Sequence, residues 1–188
     1  MNLKKIFLAS ALLCSGCVVS NDQDDVPVPA NTPTLGNFAG CYQNMVRTSA
    51  NGPLHYLSMT IWPDQTINHG AIEAIRVVSP SSDTLKVSAF TNHQMVKEQS
   101  FISGVDFEFK DGQILLPEKL EGSGAGEPGN VFIGAMHTSR LIGLDQQGQG
   151  YLQESTSFAG TAFLVIPVAG QVSEAFRFAT SEHLCNNE

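Results

Sequence analysis

The sequence predicts an all-β protein: a single antiparallel meander domain, closed as a small barrel or folded as a sandwich, with little helix. Three observations carry the prediction. Apolar and polar residues alternate with a period of two, turn-forming residues recur at short intervals, and no window sustains an amphipathic helix with caps. The domain is assigned to residues 35–188, about 150 residues, enough for one core and short of what two would need.

Taken in order, short strands are expected at 40–47 and 56–62. Residues 69–78 are the best helix candidate, in competition with strand. A hairpin is expected over 75–90 (IRVVSPSSDTLKVSAF), with 79–83 as its turn and Leu85, Val87 and Ala89 on one face. The clearest hairpin is 105–116 (VDFEFKDGQILL). There Val105, Phe107 and Phe109 alternate with Asp106, Glu108 and Lys110, and Asp111-Gly112 supplies residues that tolerate the positive φ of a type I′ turn. A third hairpin runs over 139–156, broken at 145–150 (DQQGQG), and further strands are expected at 131–136, 161–166 and 175–179.

The N-terminal segment reads as a targeting element. Lys4 and Lys5 form a positive start, and residues 6–13 (IFLASALL) form an apolar run too short to span a bilayer, which needs about 20 residues. The stretch Leu13-Cys14-Ser15-Gly16-Cys17 resembles a bacterial lipobox, with Cys14 standing where that motif usually has Leu, Val or Ile. The resemblance implies a signal peptide over 1–16 and a lipid (palmitate) anchor on Cys17. Val18 is not the aspartate that resembles an inner-membrane retention signal. An outer-membrane position follows, with the domain facing the periplasm. The acidic tract behind the cysteine resembles surface-export signals and keeps display on the cell surface open. Residues 17–34 are then the lipidated cysteine and a tether: 19–34 (VSNDQDDVPVPANTPT) holds three Asp and three Pro without apolar period and is expected to stay extended and solvated. Asp22, Asp24 and Asp25 read as part of that spacer rather than as a calcium site.

The chain carries 10 basic and 18 acidic side chains, net −8. Loss of Lys4 and Lys5 with the signal peptide leaves 8 against 18, net −10. Nucleic acid is excluded as a partner, since that role needs clustered Lys and Arg. Cys14 would leave with the signal peptide, so Cys41 and Cys185 remain as an even pair in an exported protein. They are expected to form a disulfide that joins the first strand to the end of the chain.

Motifs for chemistry are sparse. Residues 124–129 (GAGEPG) satisfy the letters of a dinucleotide fingerprint but lack the preceding strand and following helix, so residues 121–130 read as a glycine-rich loop. Gly122, Ser123, Gly124, Gly126 and Glu127 form a candidate binding loop. The five histidines, His55, His69, His93, His137 and His183, show no zinc-binding spacing, and no nucleophile elbow occurs. Asp106 and Glu108 share a strand face that is expected to be solvated. No metal, cofactor or catalytic residue is predicted. The aromatic residues are more informative. Phe101, Phe107, Phe109, Phe132, Phe158, Phe163, Phe176 and Phe178 exceed what a thin sheet hides, and they demand a closed interior, either a packed core or an apolar cavity.

Four stretches, LGNFAGCYQN (35–44), DTLKVSAF (83–90), FKDGQILL (109–116) and FLVIPVAGQVSEAFRFA (163–179), resemble landmarks of small uncharacterised proteobacterial lipoproteins. Those landmarks are a G-x-Y-x-N opening, an Asp-Gly hairpin and a Pro-Val stretch ending in Arg-Phe. The resemblance implies a fold pattern and a location but no activity. Gly36, Phe38, Gly40 and Tyr42 also resemble the opening of lipocalin-like barrels. Two functions stay open: a non-catalytic, lipid-anchored envelope lipoprotein that binds an envelope-protein or cell-wall partner, or a lipocalin-like carrier of a small apolar ligand or lipid.

Overall fold

The computed structural model describes residues 17–21, 27–47, 54–64, 66–123, 132–163 and 165–185. In chain order the elements are β1 (Cys17–Asn21), β2 (Gly40–Gln43), β3 (Met45–Arg47), β4 (Leu54–Tyr56), the one-turn helix α1 (Leu57–Ile61), β5 (Ala74–Val78), β6 (Thr84–Thr91) and β7 (Gln94–Ile102). They continue with β8 (Glu108–Lys110), β9 (Gln113–Leu115), β10 (Lys119–Ser123), β11 (Phe132–Leu144), β12 (Gly150–Ala162) and β13 (Ile166–Phe178). Single 3-10 turns lie at Leu35–Phe38, His69–Ala71 and Glu182–Cys185. The protein is all-β. Its sheets are antiparallel except that β1 runs parallel to β13, and among the described residues no sheet closes into a barrel.

The chain forms two compact units, each assembled from three segments. The first takes residues 1–22, 119–138 and 156–172. Its sheet has the order β1-β13-β12-β11-β10, with Cys17 opposite Val168 and Leu120 opposite His137. Phe132 and Phe158 meet edge to face at 6.3 Å.

The second unit takes residues 23–118, 139–155 and 173–188 and, besides the two-stranded sheet of β3 and β4, contains two larger sheets. One has the order β2-β5-β6-β7, and the other sets β8 and β9 beside the remaining lengths of β11, β12 and β13. The alternation on β6 explains why they stack. Leu85, Val87 and Ala89 point into a core shared with Phe38, Ile75, Phe107, Ile114, Leu152, Phe176 and Phe178. The opposite face of the same sheet is covered by a smaller cluster of Cys41, Ala74, Phe90 and Cys185. Cys41 and Cys185 are disulfide-bonded, with Cα atoms 6.1 Å apart. The C-terminal segment lies beside β2: Gln43 N–H donates to the Ala179 carbonyl at 2.9 Å and Ser181 N–H to the Cys41 carbonyl at 2.8 Å. The segment that follows β13 therefore bridges β2 at Tyr42 and Thr180, while β2 and β13 themselves belong to different sheets and are not paired as the sequence reading expects.

The hairpin turn at Asp111-Gly112 has φ of 52° and 77°, the type I′ geometry that the dipeptide foretells. The hairpins over 75–90 and 139–156 are present as β5–β6 and β11–β12.

Several expectations are corrected. Val105 is not a strand residue: it sits in a turn at 76% exposure, because Gly104 takes φ of 83° and Asp106 turns back to accept the Ile102 N–H. The strand expected at 56–62 is α1, and the helix candidate at 69–78 is a 3-10 turn followed by β5. Strand β7 had no counterpart in the sequence reading. The second half of the expected tether is not solvated, since Pro27 and Thr32 are buried and Ala30 N–H bonds the Leu144 carbonyl at 2.7 Å. Asp22, Asp24 and Asp25 lie outside the described residues. Gly122 and Ser123 are paired strand residues opposite Ala135 and Gly134 rather than loop; Gly124, Gly126 and Glu127 lie outside the described residues. Phe163, expected inside, is 65% exposed at the turn between β12 and β13, with φ of 50°.

Candidate functional site

Between the two sheets of the second unit lies a cavity of about 350 Å³. Its walls come from each layer: Phe38, Leu85 and Val87 on one side, Ile114, Ile142 and Phe178 on the other, with Leu57 and Ile61 of α1 closing an end. Leu85, Val87, Ile114, Ile142 and Phe178 are strand positions whose alternation sends the apolar side chain inward, while Phe38 comes from a 3-10 turn.

The wall is held by polar groups that are satisfied within it. Tyr42 donates its hydroxyl to the Phe38 carbonyl at 3.0 Å. Burial, reinforced by the charge of Glu182, pushes its phenol up to about 12, so it stays a neutral donor. Tyr151 accepts from Gln113 Nε2 at 2.9 Å, and its ring lies over Gly143, where any side chain would overlap it. Asn44 is fully buried and makes three side-chain bonds: its Oδ1 accepts the Ser58 N–H at 2.8 Å, and its Nδ2 donates to the His69 and Ile72 carbonyls, each at 2.9 Å. Its backbone carbonyl also accepts the Leu57 N–H at 2.8 Å. Asn44 thus caps α1 from a different part of the chain and fixes Leu57 and Ile61 at the cavity. Gly40, Tyr42 and Asn44 of the opening motif are therefore scaffold of this site rather than reactive groups.

At the mouth stand Arg140 and Asp106. Both also line a second, outer cleft of about 670 Å³, together with Phe107, Glu108, Leu116, Pro117 and Glu118. Asp106 Oδ2 accepts the Ile102 N–H at 2.8 Å. The Arg140 backbone carbonyl accepts the Leu116 N–H at 3.0 Å, while its buried Nε meets no hydrogen-bond acceptor among the described residues.

Elsewhere, Ser58 Oγ and His69 Nδ1 lie 2.9 Å apart and His69 Nε2 lies 3.2 Å from the Asp64 carbonyl oxygen. The distances match a nucleophile and its base, but Ser58 is fully buried and neither residue lines the cavity, so no substrate reaches the hydroxyl. Among the described residues no group of His, Cys, Asp and Glu is arranged to hold a metal ion. Cys17 begins β1, opposite Val168. The sequence reading missed Arg140 and Leu57. The first sits in a strand whose register cannot be read locally, and the second belongs to a helix induced by Asn44.

Comparison with protein-family models, with curated proteins and with solved structures found no match.

Proposed function

We propose that the chain is a lipid-anchored, non-catalytic envelope protein of the outer membrane that holds a small apolar ligand in the second unit. The observation that carries this reading is the 350 Å³ cavity with apolar walls from both sheets. Binding sites for small molecules fall in the range of roughly 300–1,000 Å³. Its lining is predominantly apolar, with Arg140 and Asp106 as the charged side chains among the lining residues, as expected of a site for an apolar ligand with a polar end.

The anchor reading rests on Lys4, Lys5, the short apolar run and Ser15-Gly16-Cys17. It gains support within the first unit. The turn following β12 and the start of β13 expose Phe163, Val165 and Ile166, and β13 is the strand that pairs with β1 from Cys17 onward. An apolar, uncharged turn near a lipidated cysteine suits a membrane-facing end. A partner-binding role is the second reading, favoured by the β7 edge, where Met95 and Val96 are 55% and 56% exposed.

Native mass spectrometry of detergent-free protein tests the leading reading, with a co-purified amphiphile as the expected result. A clean apo mass, together with envelope proteins crosslinked at β7, would replace it by the second. Cys17→Ser is expected to abolish labelling by a fatty-acid analogue; persistent labelling and membrane fractionation would refute the anchor.

A further inference from the structure

We propose that the ligand is a single-chain zwitterionic amphiphile: its tail fills the apolar cavity, its anionic group bonds Arg140 at the mouth, and its cationic group lies beyond, beside Asp106 and Glu108. This rests on the apolar-ligand reading and adds the chemistry of the head group.

Arg140 is the first reason. Its guanidinium is always charged and carries five donors in a planar fork suited to phosphate or carboxylate. It stands among mostly apolar lining residues, where a cation favours an anionic group beside it. Position is the second reason. Arg140 lines the apolar cavity and the outer cleft alike, so it stands where a tail ends and a head begins. The third is the charge beyond it. Beside the guanidinium the cleft is lined by the carboxylates Asp106 and Glu108. A bare anion would be repelled on the way in, whereas an anion followed by a cation matches the order of charges. At about 30 Å³ per water-sized group, the cavity holds on the order of ten non-hydrogen atoms, a medium-length alkyl chain.

The test is calorimetric titration of delipidated protein with four probes of equal chain length below their micellar concentrations: dodecylphosphocholine, laurate, dodecyltrimethylammonium and 1-dodecanol. Dodecylphosphocholine is expected to bind tightest, about fivefold over laurate. Arg140→Gln is expected to weaken dodecylphosphocholine and laurate about tenfold relative to dodecanol, a tenfold change being 1.4 kcal/mol. An unaltered circular-dichroism spectrum and thermal midpoint verify that the variant is folded. The joint change Asp106→Asn and Glu108→Gln is expected to erase the preference for dodecylphosphocholine over laurate. If laurate binds as tightly as dodecylphosphocholine, or if Arg140→Gln leaves both unaltered, the head-group assignment is overturned while dodecanol binding keeps the apolar cavity. If none of the four probes binds, the apolar-ligand reading itself falls.

Discussion

Removing the side chain of Asn44 is expected to destabilise the second unit far more than its size suggests. Asn44→Ala deletes three buried hydrogen bonds. The His69 carbonyl keeps a second partner in the Ile72 N–H at 3.3 Å, so its loss is modest. The Ser58 N–H and the Ile72 carbonyl are left without the bonds that Asn44 gave them. An orphaned buried group costs roughly 1–3 kcal/mol and a net hydrogen bond about 1, so the expected loss is about 3–5 kcal/mol. With a urea slope near 2 kcal/mol/M, the unfolding midpoint falls by about 1.5–2.5 M. Asn44→Asp sharpens the test, because its second carboxylate oxygen would face the His69 and Ile72 carbonyls in place of an amide donor. Its folded pKa must then lie above the unfolded value of about 3.9. The variant's stability is retained below that value and lost as pH rises through the raised folded pKa. Equilibrium urea unfolding at pH 4 and pH 7 measures both effects. A loss below about 1 kcal/mol for Asn44→Ala, or no pH dependence for Asn44→Asp relative to the parent, would show that Asn44 does not cap α1.

Two further predictions follow from the same unit. The Tyr42 phenol, pushed up to about 12 from 10 by burial, contributes stability that is intact below pH 10 and lost as pH rises through 12, about 2–3 kcal/mol in all; Tyr42→Phe should flatten that alkaline limb in a pH series of thermal melts, and an unchanged limb would refute the assignment. Reduction of the Cys41–Cys185 bond, or Cys185→Ser, should lower stability by up to about 5 kcal/mol, since the two residues are 144 apart in sequence. Two thiols alkylating in the denatured, non-reduced protein would show that the bond is absent in solution.

What the sequence made legible was local. Asp111-Gly112 announces its turn because those residue types accept positive φ, and Leu85, Val87 and Ala89 announce their face because a strand alternates. The turn between β6 and β7 uses the same backbone geometry with Asn92 and His93, φ 49° and 59°, but no glycine marks it. Strand β7 hid for a related reason: as an edge strand with mostly exposed residues it has little inward pattern to betray it. Helix α1 could not be read from 57–61 at all, because the oxygen atoms that cap it belong to Asn44. The burial of Pro27 and Thr32 is likewise tertiary, with Ala30 tied to Leu144. The demand for an apolar interior was legible in the phenylalanines, and Phe107, Phe176 and Phe178 meet it. The guanidinium at its mouth was not, since nothing adjacent to Arg140 in sequence resembles a site.

The interleaving of the two units bears on how the protein can be taken apart. Each is built from three separate stretches, so the chain passes from one to the other five times. No single cut, and no pair of cuts, yields a continuous fragment containing one unit and nothing of the other. Three of the five crossings fall inside β11, β12 and β13, so truncation there, the usual way to map a function onto half of a protein, would sever a strand. The same connectivity limits inheritance by recombination: an exchange of contiguous coding sequence cannot move the cavity-bearing unit without the strands that also thread its companion, so the two must be acquired, lost and varied together.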